Sequence, residues 1–322
     1  MRSFRRSWPL AVLLLLLAGT TAVLPAAGDT SRTRQPYQGV TLIERVLTTP
    51  RPVRIHLAQV DLRAPGVRVA VSPPAGSRET VRETTLDFMT RQGAQLAVNG
   101  HFFLPFPADD RDAWVIGLGA ADGRIYSAFE SPEQSFAIVS DAPALVFDQR
   151  HRARIVRRRP GGDGRQVRGR GAIWNAVAGS AQILTDGRVT VPTYRDDTHP
   201  RGALTPGPAG RYTNTHSWYD LITSRTIAGL SRNRHVLTLV AVEGRGGVEG
   251  LTVKEIATLL ARDHGVWNAL NLDGGGSTSL AWVEPDTGQA ALLNTSQDNP
   301  AGRRVASSLA VFATRTTPPH ER

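Results

Sequence analysis

The sequence predicts an α+β fold, a single mixed domain of β-sheets with a few packed helices. Three observations carry that expectation. Short apolar and alternating runs recur along most of the chain, as in Val53-Arg54-Ile55-His56-Leu57-Ala58 and Val67-Arg68-Val69-Ala70-Val71. Only two segments carry helix signals at both ends. The chain of 322 residues contains no cysteine, so neither a disulfide framework nor a thiolate metal site supplements the core. A domain of this size buries about three quarters of its unfolded surface, which is enough for a core to act alone.

The elements follow in order. Arg2, Arg5 and Arg6 precede an apolar run from Leu10 to Ala18 and small residues at Ala26, Ala27 and Gly28. That grammar is a secretory signal peptide over residues 1–28, too short to span a bilayer comfortably, and it implies a secreted or envelope-associated protein. Residues 29–65 read as lead-in strands, 66–313 as the main domain and 314–322 as a disordered tail. A helix is expected from Thr80 to Arg91, with Thr80 and Glu83 at capping-box spacing and Gly93 as the stop. The buried strand Gln95-Leu96-Ala97-Val98 then ends at Asn99.

The same order returns 172 positions later. Thr252 and Glu255 have capping-box spacing, a helix runs to His264, Gly265 closes it, and Ala269-Leu270 leads into Asn271-Leu272-Asp273. Six of twenty aligned positions are identical, against about one or two by chance, which suggests an internal duplication of a helix-turn-strand-loop unit. The alternative is the common use of these residues at any helix-to-strand passage. If the units are copies, their two terminal loops converge at one cleft. Between them, Ser135–Ser140, Ala144–Phe147 and Val236–Val242 read as strands. Gln149–Gly171, with nine arginines, and Arg195–His216 read as long surface loops.

The net charge is +10, and removing the three signal arginines leaves +7; every basic residue except Lys254 is arginine. Such a surface favours anionic partners. No zinc-finger spacing, aromatic RNA-binding motif or basic heptad region converts the charge into nucleic-acid recognition, so no nucleic-acid partner is expected. HExxH, GxxxxGK[ST], GxSxG and a strand-borne GxGxxG are absent from the sequence. Asp109-Asp110 and Asp196-Asp197 leave a divalent cation open; no cofactor is required.

Three strings carry candidate chemistry. In Asn271-Leu272-Asp273-Gly274-Gly275-Gly276-Ser277-Thr278, successive glycines allow close approach of a ligand and a nest of N–H groups. Asp273 leaves an apolar strand, where burial raises a carboxyl pKa toward acid–base work; equally, Asp before Gly is a common structural turn. In Asn99-Gly100-His101-Phe102-Phe103, Asn99 suits a sugar hydroxyl, and His101 suits a proton or metal. Arg225 and Arg245 present forks that fit phosphate, and Glu243 is a second carboxylate to pair with Asp273.

These strings resemble the phosphodiester glycosidase family, which includes the enzyme that uncovers mannose 6-phosphate by removing N-acetylglucosamine. The resemblance spans roughly residues 66–313, in Ala97–Phe103, Ile173–Gly187, Arg225–Arg245, Ala269–Leu280 and the closing segment Asn299–Ala306 with Leu309–Phe312. It implies the same mixed fold and hydrolysis of a sugar 1-phosphodiester, or of a phosphate-containing glycopolymer, to free sugar and phosphate monoester. The polar positions it carries over are Asn99, Arg225, Arg245, Asp273, Ser277 and Thr278. It departs at Glu243, where Asp is expected before Gly-Arg, at His101, where a small residue is expected, and at Asn175 and Ser180 in place of glycine. The implied site has Arg225 and Arg245 on phosphate, Asp273 and Glu243 as acid and base, Asn99 on the sugar and Gly274–Ser277 donating N–H groups. The other readings are a non-catalytic binder of anionic envelope glycopolymer and a metal-dependent phosphodiesterase.

Overall fold

Val53–Asp61 carries buried apolar residues on both faces. Val53, Ile55 and Leu57 point one way, Ala58 and Val60 the other, and all are buried, as a strand covered on both sides requires. In the computed structural model, which describes residues 28–129, 136–169 and 171–316, this strand lies inside an eight-stranded antiparallel sheet. Its order is Thr30–Tyr37, Val40–Leu47, Val53–Asp61, Val236–Val242, Arg225–Ser231, Val266–Asn271, Ala181–Thr185, Arg188–Val189. A five-stranded sheet runs Ala290–Leu292, Leu280–Val283, Leu96–Asn99, Ser308–Phe312, Arg68–Val71, and another Arg124–Ser127, Gly119–Ala121, Asn175–Ala178, Ala144–Phe147, Ala153–Val156.

One core fills the space between the sheets. It joins Ala58, Val60, Leu237, Leu239 and Leu270 to Leu96, Val98, Leu309 and Val311 of the second sheet and to Leu145, Phe147 and Val177 of the third. A second core lies on the other face of the large sheet, where the helix Val253–Asp263 presses Ile256 and Leu260 against Ile55, Leu57, Val240 and Ile227. The helix Thr85–Gln92 covers the second sheet through Phe88 and Met89. Each of these side chains contributes on the order of 2–3 kcal/mol by burial. No helix among the described residues is long and apolar enough to cross a membrane.

Both helices stop at the expected glycines, Gly93 at φ 66° and Gly265 at φ 64°, and Thr252 and Glu255 form the full capping box. The first helix starts later than expected. Thr80–Val81 and Glu83–Thr84 pair as short strands with Asp112–Val115 and Arg304–Val305, and Thr84 caps the helix by accepting from Asp87 N–H. Strand pairing at 80–84 therefore overrides the local cap spacing. The two units match from their glycines onward and differ before their helices.

Other expectations are corrected. Residues 29–65 are no lead-in, because their strands pair through Val53–Asp61 with Val236–Val242 as part of the main sheet. Residues 136–140 form a turn. The arginine-rich stretch contains the strand Ala153–Val156, paired with Ala144–Phe147. Residues 314–316 run beside the first strand, with Thr316 N–H donating to Pro36 O. The expected signal peptide over 1–28 lies, except for Gly28, outside the described residues, as do Ser135 and the tail from 317.

Candidate active site

The loops that leave the two matching strands meet. Asn99 Nδ2 donates to Asp273 O (2.6 Å), and Asp273 N–H donates to Gly100 O (3.1 Å). Asn99 Oδ1 accepts from Thr226 Oγ1 (2.8 Å) and from Ser279 N–H (3.0 Å). Asn99 thus has its amide committed on both ends. It fixes the backbone of the acidic loop and is not placed to orient a sugar.

Val266–Asn271 delivers Leu272 into the core, and Asp273 follows at the strand end. The loop then turns through Gly275 at φ 59°, whose N–H donates to Ser224 O (2.9 Å). A side chain at Gly276 would collide with the Arg303 guanidinium and the Asp298 carboxylate, so the close approach of that ion pair requires glycine there. Burial pushes the Asp273 carboxyl up to about 6, against the opposing effects of a Ser277 hydrogen bond, the Arg303 charge and the Gly274 N–H. Near neutral pH it exchanges protons readily.

Arg225 opens the neighbouring strand and is 1% exposed. Its Nε donates to Leu251 O (3.1 Å), its Nη2 donates to Leu221 O, and its guanidinium lies 5.2 Å from the Trp218 ring centre. No carboxylate forms an ion pair with it among the described residues, and burial pulls it down to about 10. A buried cation held by carbonyl groups alone is costly unless an anion joins it.

Asp273, Gly274, Gly275, Gly276 and Arg225 line one cavity of about 580 Å³. Arg303 joins them; its Nη1 donates to Ser277 Oγ (3.2 Å) while Asp298 holds its other edge. The opposite wall is aromatic. Phe102 packs on Trp218, and Phe136 stacks on Tyr212, with ring centres 5.8 Å and 5.2 Å apart.

The other expected residues lie elsewhere. Glu243 follows Ala241 on the face toward the inter-sheet core, whereas Arg225 shares Ile227's face toward the helix Val253–Asp263. The period-2 pleat therefore separates them, and Glu243 does not join Asp273 in the cavity. Its Oε1 is 2.7 Å from His56 Nε2, and its Oε2 is 3.6 Å from Arg54 Nη1. Burial raises the Glu243 carboxyl, but the His56 hydrogen bond and the nearby positive charges outweigh this and hold it below its ordinary range. Arg245 is exposed and donates to Gln297 O, outside the cavity. His101 is buried, with Nδ1 2.7 Å from Ser307 Oγ and Nε2 3.0 Å from Leu118 O, and burial brings it down to about 4. It is a neutral bridge between loops. Ser277 and Thr278 are buried, Ser277 beside Asp273 and Thr278 accepting from Thr226 Oγ1 (3.3 Å). Arg303 carries no local signal that sets it apart in the sequence, although it sits in the closing segment that carries the resemblance. The described residues hold no group of three or more His, Asp or Glu side chains arranged for a metal.

A fold of sheets and two helices thus brings a titrating carboxyl and a buried guanidinium without a carboxylate partner into one aromatic-walled cavity, an arrangement that suits hydrolysis of an anionic substrate. Residues 92–312 match the model of the phosphodiester glycosidase family, and the chain belongs to that family and to that class of enzyme. No curated protein sequence matches it. Among solved structures it is similar to the catalytic domain of zebrafish N-acetylglucosamine-1-phosphodiester alpha-N-acetylglucosaminidase auto-inhibited by its pro-peptide. That match has a TM-score of 0.59 and 17% identity, over 89% of this chain and 88% of that one. A hypothetical protein from Synechocystis gives 0.59 and 17% over 88% of this chain, which spans 64% of that one. A Burkholderia pseudomallei protein provisionally named as exported gives 0.51 and 17%, over 84% and 77%.

Proposed function

We propose that this enzyme hydrolyses the sugar C1–O bond of a sugar 1-phosphodiester, releasing free sugar and a phosphate monoester. The observation that carries the reading is the Arg225 guanidinium, buried without a carboxylate partner, on the wall of the cavity that also holds the Asp273 carboxyl. Arg225 binds the phosphodiester, with Arg303 as the second cation, and both stabilise the charge that gathers on the leaving phosphate. A phosphate monoester leaves already bearing stable negative charge, so little general-acid help is needed. One carboxylate then suffices. Ionised Asp273 either activates water at C1 or stabilises the positive charge growing there, and the aromatic wall packs on the sugar.

The apolar run behind Arg2, Arg5 and Arg6 supports export, in keeping with the name of the Burkholderia relative. Phosphate-bearing envelope polymers or glycoconjugates are then the substrates within reach. Incubation with a small sugar 1-phosphodiester tests the reaction. Free sugar and phosphate monoester are expected, abolished in Asp273→Asn and strongly reduced in Arg225→Ala; sugar 1-phosphate as product overturns the reading.

A further inference from the structure

A second cleft, of about 800 Å³, lies at the other end of the large sheet. Arg225 opens its strand and faces the first cavity, whereas the second cleft is lined by Asn233, Arg234 and His235, in the turn beyond Ser231. Seven residues of strand separate the two ends, about 20 Å. The cleft also takes Arg63 from the turn after Val53–Asp61, and Arg150, Arg152 and Arg154 from the hairpin that joins Ala144–Phe147 to Ala153–Val156.

Two turns build it, and each is locked by its own side chain. Asp148 Oδ1 accepts from the N–H groups of Arg150 (2.9 Å) and Arg152 (3.0 Å), and its Oδ2 takes Arg152 Nε (2.7 Å). Asn233 Oδ1 accepts from Ser231 Oγ (2.8 Å) and His235 N–H (3.1 Å). His151 and Arg234 consequently sit at φ 57° and 61°, a conformation that non-glycine residues adopt only when their surroundings hold them there.

The charges do not cancel. Among the described residues, Asp148 is the only carboxylate lining the cleft, and it is spent on the two amides and on Arg152; Arg63 is held by Asp61. Arg150, Arg154 and Arg234 have no carboxylate partner among the described residues, and Arg154, half-buried, donates to Gly171 O. The neighbouring Arg234 and Arg152 charges, after burial itself, help bring the Arg154 guanidinium below its ordinary range. His235 also lines the cleft, and its Nδ1 is buried without a hydrogen-bond partner. Like charges gathered on rigid turns repel one another, and the repulsion is relieved only by a counter-anion.

We propose that this cleft is an anion-binding exosite that holds a linear polyanion with closely spaced phosphate groups. One phosphate is too small to fill it or to neutralise three separate guanidiniums. Among the described residues no Phe, Tyr or Trp lines it, so nucleobases find no stacking platform there and a nucleic acid gains nothing beyond its backbone charge. A chain held here is kept near the enzyme after each encounter, which raises its local concentration at the surface.

The test is titration of the full chain with inorganic polyphosphate of about 25 phosphates at two salt concentrations. The variants are Arg150→Gln/Arg234→Gln and, as a charge-matched control, Arg124→Gln/Arg188→Gln, two exposed arginines outside both clefts. Removing two phosphate contacts is expected to weaken binding roughly ten- to a hundredfold and to flatten its salt dependence, with the control changed less than about threefold. Equal losses in the two variants would reduce the effect to net charge and overturn the exosite. Orthophosphate competing as well as polyphosphate at equal total phosphate would overturn the polymer, and tighter binding of single-stranded DNA of equal charge would make the cleft a nucleic-acid site. Hydrolysis of a small diester, followed in parallel, is expected to be unchanged in both variants, which separates this outcome from that of the proposed reaction.

Discussion

Replacing Asp273 by Asn should abolish activity and stabilise the protein at neutral pH. Burial lifts this carboxyl from 3.8 to about 6 in the folded chain. Below pH 4 the group is protonated whether the chain is folded or not, and it costs nothing. Above pH 6 it is ionised in both states, and the folded state carries the whole penalty, about 3 kcal/mol at 1.36 kcal/mol per pH unit. Stability linked to Asp273 therefore falls as pH rises from 4 to 6 and is lowest above 6. An Asn keeps one oxygen to accept from Ser277 and the Gly274 N–H but brings an NH₂ that needs acceptors, a cost of about 1 kcal/mol. The net gain is about 2 kcal/mol at pH 7.5, or about 4 °C in Tm for a chain of this size. At pH 4 the gain disappears and the variant is slightly the less stable. The assay is thermal unfolding of both proteins from pH 4 to 8. A Tm difference that stays constant across that range would refute the desolvated, titrating carboxyl on which the site rests.

Activity of the unaltered enzyme should fall as pH drops through about 6, with the slope of a single ionisation in kcat/KM, because the ionised Asp273 is the working form. Arg225→Ala should lower kcat/KM by roughly a hundred- to a thousandfold, the scale of losing one preorganised charge-stabilising donor, and should weaken inhibition by inorganic phosphate. Glu243→Gln should retain catalysis at neutral pH yet lower stability by about 1–2 kcal/mol, since it weakens a buried hydrogen bond to His56; a loss of kcat with unchanged Tm would return Glu243 to the reaction. The wild-type contribution of Glu243 is present above its unfolded pKa and is lost as pH falls through its lowered folded value. Gly276→Ala should cut activity by displacing Arg303 and Asp298, and phosphate affinity reports that displacement.

Much of the fold was legible because local signals and tertiary needs agree. Gly93 and Gly265 stop their helices where positive φ is required, Thr252 and Glu255 cap theirs, and both strands end on an asparagine whose loops meet. The first helix start was misread because Thr80–Thr84 is recruited into pairings with Asp112–Val115 and Arg304–Val305, partners far away in sequence. That Asp273 and Arg225 line one cavity follows from an apolar strand ending in a glycine loop and from an arginine entering a buried strand. Glu243 looked equivalent to them. Which face of the sheet it serves depends on register with Arg225–Ser231 and Val53–Asp61, and pairing register is not written in a single strand. Arg303 is hidden among 37 arginines; only contacts made in three dimensions, with Gly276, Ser277 and Asp298, distinguish it.

The most direct test of the account is hydrolysis of a sugar 1-phosphodiester in water enriched in ¹⁸O, followed by mass analysis of both products. The label is expected on the anomeric oxygen of the free sugar, none in the phosphate monoester, with product formation slowed roughly a hundred- to a thousandfold in Arg225→Ala. Label in the phosphate, with unlabelled sugar, would mean cleavage of the P–O bond and would contradict the assignment of Arg225 and Asp273 to chemistry at C1.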